Sequence, residues 1–144
     1  MSISYVKDLM MTEPQFVAPT ASLQEAAIFM ESVNCGMLPV GTPKKVRGVI
    51  TDRDIVTRAV SAGKNPMREL VADYMTGEVF ACNENDTLTN AAEKMREHKV
   101  SRLLVRNHKG DVVGVLSFGG LLRQTAAAGD IAHVVERATS RLLA

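Results

Sequence analysis

The chain has 144 residues, 46% of them hydrophobic and 23% charged, a balance that fits an ordinary globular domain and excludes disorder and collagen-like repetition. Seventeen Lys and Arg against sixteen Asp and Glu leave a net charge of +1, too weak a field to hold a phosphate backbone along a broad face, so no nucleic-acid partner is expected. The longest run without a charged residue, Ser32 to Pro43, has 12 residues, far short of the roughly 20 that a membrane span needs. The first residues, Met1 to Asp8, lack a basic region followed by an apolar core, and a cytoplasmic location is the expectation. Cys35 and Cys82 have no metal-knuckle spacing and are expected as free thiols.

Laid on itself, the chain repeats. Val6-Lys7-Asp8-Leu9-Met10 returns as Val71-Ala72-Asp73-Tyr74-Met75. Leu23, Ala26, Ala27 and Met30 return at the same offset as Leu88, Ala91, Ala92 and Met95. A single inserted position then lengthens the offset, and in the new register Gly48-Val49-Ile50-Thr51 matches Gly114-Val115-Leu116-Ser117. The repeat boundaries are placed at 6–64 and 71–129, with Lys64 to Glu69 as the connection between copies.

Each copy opens on a short extended piece, Gln15 to Ala18 or Val79 to Cys82. A helix follows, capped by Ser22 or Thr87. Glu25 can complete a capping box in the first copy, and the apolar stripe beginning at Leu23 or Leu88 is expected to be buried. Two strands, Met37 to Val40 and Val46 to Ile50, flank a Gly/Pro/Lys turn; Leu103 to Arg106 and Val112 to Leu116 flank Lys109-Gly110-Asp111. A second helix starts near Thr51 or Ser117 and stops at Gly63 or Gly129, where glycine can adopt a left-handed cap. A final helix over 130–144 has Ile131, Val134, Val135, Ala138 and Leu142 on one stripe. The fold class is α+β, each copy a strand-helix-strand-strand-helix unit.

That unit, occurring as a pair and carrying Gly-apolar-x-Thr/Ser-x-x-Asp at the second strand-to-helix junction, resembles the CBS domain named after cystathionine β-synthase. The carriers are Gly36-Met37-Leu38-Pro39-Val40 and Gly48-Val49-Ile50-Thr51-Asp52-Arg53-Asp54-Ile55 in the first copy, and Val100-Ser101-Arg102-Leu103-Leu104-Val105 and Gly114-Val115-Leu116-Ser117 in the second. The resemblance covers Val6 to Gly129 and is to proteins that are little more than one CBS pair, the small bacterial regulatory modules. It implies two three-stranded sheets packed as a pseudo-twofold pair (a Bateman module), with an adenine nucleotide or related adenosyl ligand held in clefts between the copies.

At Thr51 a strand turns into a helix, so its hydroxyl and the free N–H groups of the first helical turn are expected to converge on one small volume that favours phosphate. Asp54, one turn on, offers two acceptor oxygens to the vicinal hydroxyls of a ribose. The same residues also serve as an ordinary helix cap and a carboxylate at the positive end of a helix dipole. In the family a basic residue at the position of Arg102 clamps the phosphate held by the other copy's Thr, a task suited to its planar fork, and the ligand would thereby bridge the copies. Ala18, Cys35, Met37 and Pro39 fall on positions that in the family line the purine pocket, though all four also suit an ordinary core. In the second copy Ser117 keeps the hydroxyl, Gly120 replaces the carboxylate, and Met37 stands where Arg102 would have its counterpart. One competent site and one degenerate site are expected.

AMP, ADP and ATP are the ligands implied, with NADH and S-adenosylmethionine as further candidates. No nucleophile elbow, Walker loop or zinc-protease motif occurs, so no catalysis, cofactor requirement or metal site is expected; a zinc site from Cys35, Cys82, His98, His108 and His133 would need distant segments to converge. The alternative reading is a ligand-free scaffold for a protein partner. Ile28 and Phe29, outside the core stripe, point to a homodimer.

Overall fold

The structure, a computed structural model, describes residues 4–128. Its elements in chain order are α1 (Val6–Leu9), β1 (Met11–Thr12), α2 (Leu23–Val33), β2 (Met37–Gly41), β3 (Val46–Thr51) and α3 (Asp52–Asp54), the last continuing as a π-helix over Ile55–Val60. Then come α4 (Val71–Tyr74), β4 (Ala81–Asn83), α5 (Leu88–His98), β5 (Arg102–Arg106), β6 (Val112–Ser117) and α6 (Phe118–Ala128). The expected end at Gly129 and the helix over 130–144 lie outside the described residues.

The chain divides into two compact bodies, and their limits are not those of the repeats. One body is Pro14–Val79; the other joins the segment up to Glu13 to the chain from Phe80 onward. The opening segment of each repeat is therefore exchanged. Val6 N–H donates to the Asp86 carbonyl and Lys7 N–H to the Glu84 carbonyl, while Val71 N–H donates to Ala21 and Ala72 N–H to Pro19. Lys64 to Glu69, between the repeats, packs within the first body: the Glu69 carbonyl accepts from Leu23 N–H, and the Pro66 carbonyl from Gln24 N–H. Periodicity identifies the repeat unit but carries no information about which copy a segment packs against.

Both bodies obey one plan. In the second, the sheet runs β1-β6-β5-β4, with β4 parallel to β5 and the other pairs antiparallel. In the first, β2 and β3 form the hairpin, and single bridges stand where the outer strands would be, Val17 parallel to Val40 and Thr76 antiparallel to Val49. Four strands rather than three arise in the second body because the exchanged segment adds β1 along β6. Leu23, Ala26 and Met30 of α2 pack with Leu38, Val40, Ile50 and Ile55, and Leu88, Ala91, Ala92 and Met95 of α5 pack with Leu103, Val105 and Leu116. Ala27, expected on the buried stripe, is exposed, whereas its counterpart Ala92 is buried.

The caps follow the sequence. The hydroxyl oxygen of Ser22 accepts from Glu25 N–H at 3.1 Å and that of Thr87 from Asn90 N–H at 3.2 Å. At their other ends α2 and α5 stop on left-handed residues, Asn34 (φ 51°) and Lys99 (φ 57°). Asn tolerates this conformation, but a lysine is strained there by about 1 kcal/mol.

Gly48 and Gly114 have a packing role. A Cβ on Gly48 would lie 2.5 Å from the Thr76 carbonyl oxygen, and one on Gly114 would lie 2.6 Å from Met10 Sδ and 2.9 Å from the Met11 carbonyl oxygen. The exchanged segment runs so close to the hairpin that no side chain fits between.

Gly48→Ala is expected to destabilise the chain by about 1–3 kcal/mol through this overpacking. Gly77→Ala, where an added Cβ meets nothing within 4 Å, should stay within about 0.5 kcal/mol. Urea denaturation of both variants measures the difference. By the same method Lys99→Gly is expected to gain up to about 1 kcal/mol, because glycine removes the Cβ strain at a left-handed C-cap.

Candidate functional site

The hairpin positions the site. Its register pairs Met37 with Thr51 and Pro39 with Val49, so β3 delivers Thr51, still extended at φ −116° and ψ 160°, to the start of α3. The Thr51 hydroxyl oxygen accepts from Asp54 N–H at 3.1 Å, and Asp54 Oδ2 accepts from Thr51 N–H at 3.1 Å. The two residues expected to hold a ligand are thus also a reciprocal capping box. The ordinary capping role is present in full.

Capping does not exhaust them. An ionised carboxylate has about four lone-pair directions, and Asp54, with its side chain 16% exposed, uses Oδ2 for the cap and turns Oδ1 toward Arg58 Nη1 at 4.0 Å. Acceptor capacity remains for a pair of hydroxyl donors. The Thr51 hydroxyl accepts one hydrogen bond and keeps its own proton to donate.

The expected cluster of free N–H groups is absent. Asp52 N–H donates to the Gly36 carbonyl at 2.9 Å, Arg53 N–H to Asp52 Oδ1 at 2.8 Å, and Thr51 and Asp54 bond each other. Every donor of this turn already has an acceptor, so a phosphate here would be held by side chains.

Cys35 is half-buried and its thiol donates to the Met37 carbonyl at 3.4 Å; Met37 and Pro39 are buried. These neighbours lie along the hairpin end that carries Thr51. Ala18 does not join them. Val17 is parallel to Val40, which puts Ala18 beside Gly41, at the end of β2 remote from Thr51. Arg102 belongs to the second body, where it begins β5 as the register partner of Ser117.

In that second body Ser117 Oγ accepts from Gly120 N–H at 3.0 Å, and Phe118 N–H donates to the Ser101 carbonyl. The cap keeps its form, but with Gly120 no carboxylate returns to it. A Cβ on Gly120 would lie 3.1 Å from Ser117 Oγ, a tight approach that a serine rotamer can relieve.

Three residues beside Asp54 were not singled out by motif. Arg58 Nη1 donates to the Tyr74 carbonyl at 2.6 Å, and the Tyr74 hydroxyl donates to Glu69 Oε1 at 2.6 Å. That hydrogen bond, with desolvation, pushes the Tyr74 phenol above its ordinary value. The spacing of Asp54 and Arg58, four residues apart on a helix, is the one signal that could have found this network.

The remaining reactive groups are quiet. Cys82 is buried in the second core, and burial pushes its thiol up to about 11, the opposite of an activated nucleophile. His98 is exposed and stacks on Phe80 with ring centroids 4.2 Å apart, and His108 is exposed in a turn; His133 lies outside the described residues. Among the described residues no group of three or more His, Cys, Asp or Glu could hold a metal ion, and no helix is long and apolar enough to cross a membrane.

Known proteins with this arrangement agree. The family model of the CBS domain matches twice, at residues 6–61 and 71–126. A CBS domain-containing protein of Bacillus subtilis, YhcV, is 34% identical over 119 residues, 83% of this chain and 84% of its own. The CBS pair of protein MJ0100, solved in complex with 5′-methylthioadenosine and S-adenosyl-L-methionine, superposes with a TM-score of 0.78 at 26% identity, covering 88% of this chain and 99% of that one. CBSX2, solved in complex with AMP, shares the fold with a TM-score of 0.69 at 24% identity over 87% of this chain and 98% of its own. Two copies of one strand-and-helix unit, with a Thr or Ser cap closing each hairpin, place this chain in the CBS-domain family as a tandem CBS pair.

Proposed function

We propose that this CBS pair is a non-catalytic sensor that binds an adenosyl ligand, with AMP, ADP or ATP as the first candidates and NADH or S-adenosylmethionine behind them. The observation that carries the reading is the Asp54 carboxylate. It is fixed at the end of β3 by its cap, keeps acceptor directions unfilled, and has a glycine as its counterpart in the other body. A ribose diol supplies the two donors that such a carboxylate lacks. The adenosyl ligands of the MJ0100 pair support the ligand class. Thr51 contributes a hydroxyl proton, while Cys35, Met37 and Pro39 offer backbone and apolar surface to a purine. Arg102 enters through the family resemblance as the phosphate clamp, and Arg102→Ala should weaken AMP more than adenosine.

Calorimetric titration with each nucleotide tests the reading. About one strong site per chain is expected. Asp54→Ala should weaken it more than tenfold, since a hydrogen bond to a charged group is worth roughly 1.5–3 kcal/mol and about 1.4 kcal/mol is a factor of ten. Ser117→Ala should change it little. Two equal sites, or no heat and no rise in melting temperature with any of the five ligands, would remove the proposal.

A second reading is favoured by the surface of the first body. Ile28 (55% exposed), Val56 (58%) and Met67 (65%) of the first body stand in solvent, apolar area that association would cover. We assign these side chains to a contact with a second copy of the chain. Phe29, expected beside Ile28 in the same contact, instead packs against its own core, so Ile28 and the Val56 face carry the argument. Sedimentation at micromolar concentration should show a dimer that Ile28→Glu with Val56→Glu converts to monomer; a monomeric parent chain would refute it.

A further inference from the structure

Arg58 joins the candidate ribose carboxylate to a part of the fold that no motif links to it. Its Nη1 lies 4.0 Å from Asp54 Oδ1 and donates to the Tyr74 carbonyl at 2.6 Å. Its guanidinium carbon is 5.7 Å from the centre of the Tyr74 ring, and Tyr74 is itself tied to Glu69. The Arg58 side chain is 48% exposed, so its attraction for Asp54 is screened and on its own holds little. What distinguishes it from an ordinary surface arginine is that the backbone carbonyl and the ring face have already fixed it. The rotamer freedom that usually opposes a surface ion pair has been lost before Asp54 is met.

A fixed cation on one side and the Thr51 N–H on the other leave the carboxylate one orientation, Oδ2 to the cap and Oδ1 to Arg58. We propose that Arg58 is a positioning residue for Asp54, holding the carboxylate in the orientation in which it accepts a vicinal diol, with Tyr74 and Glu69 as its support. The inference rests on the ribose reading above and adds the device that makes that reading selective for ribose. The four positions travel together. Asp54, Arg58, Tyr74 and Glu69 correspond in the other repeat to Gly120, Gln124, Leu9 and Ser4, so where the carboxylate is missing, the groups that would orient it are missing as well.

Two measurements test this on the full chain. Without ligand, exchange of the Thr51 amide, which donates to Asp54, is followed by NMR. Arg58→Gln should speed it about threefold or more, a modest factor in keeping with a partly exposed pair, while the Val49 and Thr76 amides that bridge each other stay unchanged. With ligand, calorimetry compares AMP with 2′-deoxy-AMP. The parent chain should prefer AMP, and Arg58→Gln should cut that preference about threefold or more, chiefly by weakening AMP, with Arg58→Lys falling between. A loss of fold alone would lower both affinities together. Unchanged Thr51 exchange, or an unchanged preference in a variant whose parent discriminates, overturns the positioning role and leaves the ribose reading standing. Equal binding of both nucleotides by the parent chain, or binding of none of the five candidate ligands, overturns the ribose reading, and the Thr51 amide still decides whether Arg58 holds Asp54.

Discussion

Everything in this fold depends on a strip of backbone lying against the hairpin at a distance that only glycine permits. Gly48 against Thr76, and Gly114 against Met10 and Met11, are the same contact made twice. The absent Cβ lets Val49 and Thr76 exchange both backbone hydrogen bonds, which satisfies polar groups that would otherwise be left at a sheet edge. It also draws α4 to the first body and α1 to the second. The glycine that opens the Gly-apolar-x-Thr/Ser motif is therefore a packing residue, and the residue that ends it is a cap. Together they fix where the cap is placed.

Two copies built by one rule have diverged in the chemistry of their caps. Both keep a hydroxyl that accepts from the N–H three residues on. Only the first closes the box with a carboxylate, beside which stand the Arg58 guanidinium and the Tyr74 phenol. A cap is worth about 1 kcal/mol to a helix end wherever it stands, so stability alone would keep Ser117. Asp54 completes the cap of the first body and keeps acceptor directions open.

The repeat, the hairpins, the capping residues and the left-handed Gly63 (φ 71°) were legible because each is local, whereas the left-handed stops at Asn34 and Lys99 were not foreseen. Ser22, Thr87 and Thr51 announce themselves by residue type and spacing. The exchange of opening segments was not legible: Val6 and Val71 have the same kind of neighbours in sequence, and only the spatial division tells whose sheet they join. The free N–H donors expected after Thr51 failed for a related reason, since Gly36, far from that turn in sequence, supplies the acceptor for Asp52. The place of Ala18 was not legible either, because position in a repeat does not give the direction of pairing, and the parallel bridge of Val17 with Val40 sets it beside Gly41. Glu69 and Tyr74 lay hidden because they come several helical turns after Asp54, around the exchanged segment, with no periodicity to tie them to it.

The exchange also sets an order on folding. The first body is one unbroken stretch, Pro14–Val79, and the partners of its hairpin and of both flanking bridges lie inside that stretch. It can close as soon as Val79 has left the ribosome. The second body is assembled from the two ends of the chain. β1 precedes the first body in the chain and must wait for β6, so its pairing closes a loop of about 100 residues, the costly kind of contact in chain entropy and the slow kind in time. Until then the Val6–Thr12 segment has no sheet to join, and the early-folded half stands as a finished domain beside an unfinished one.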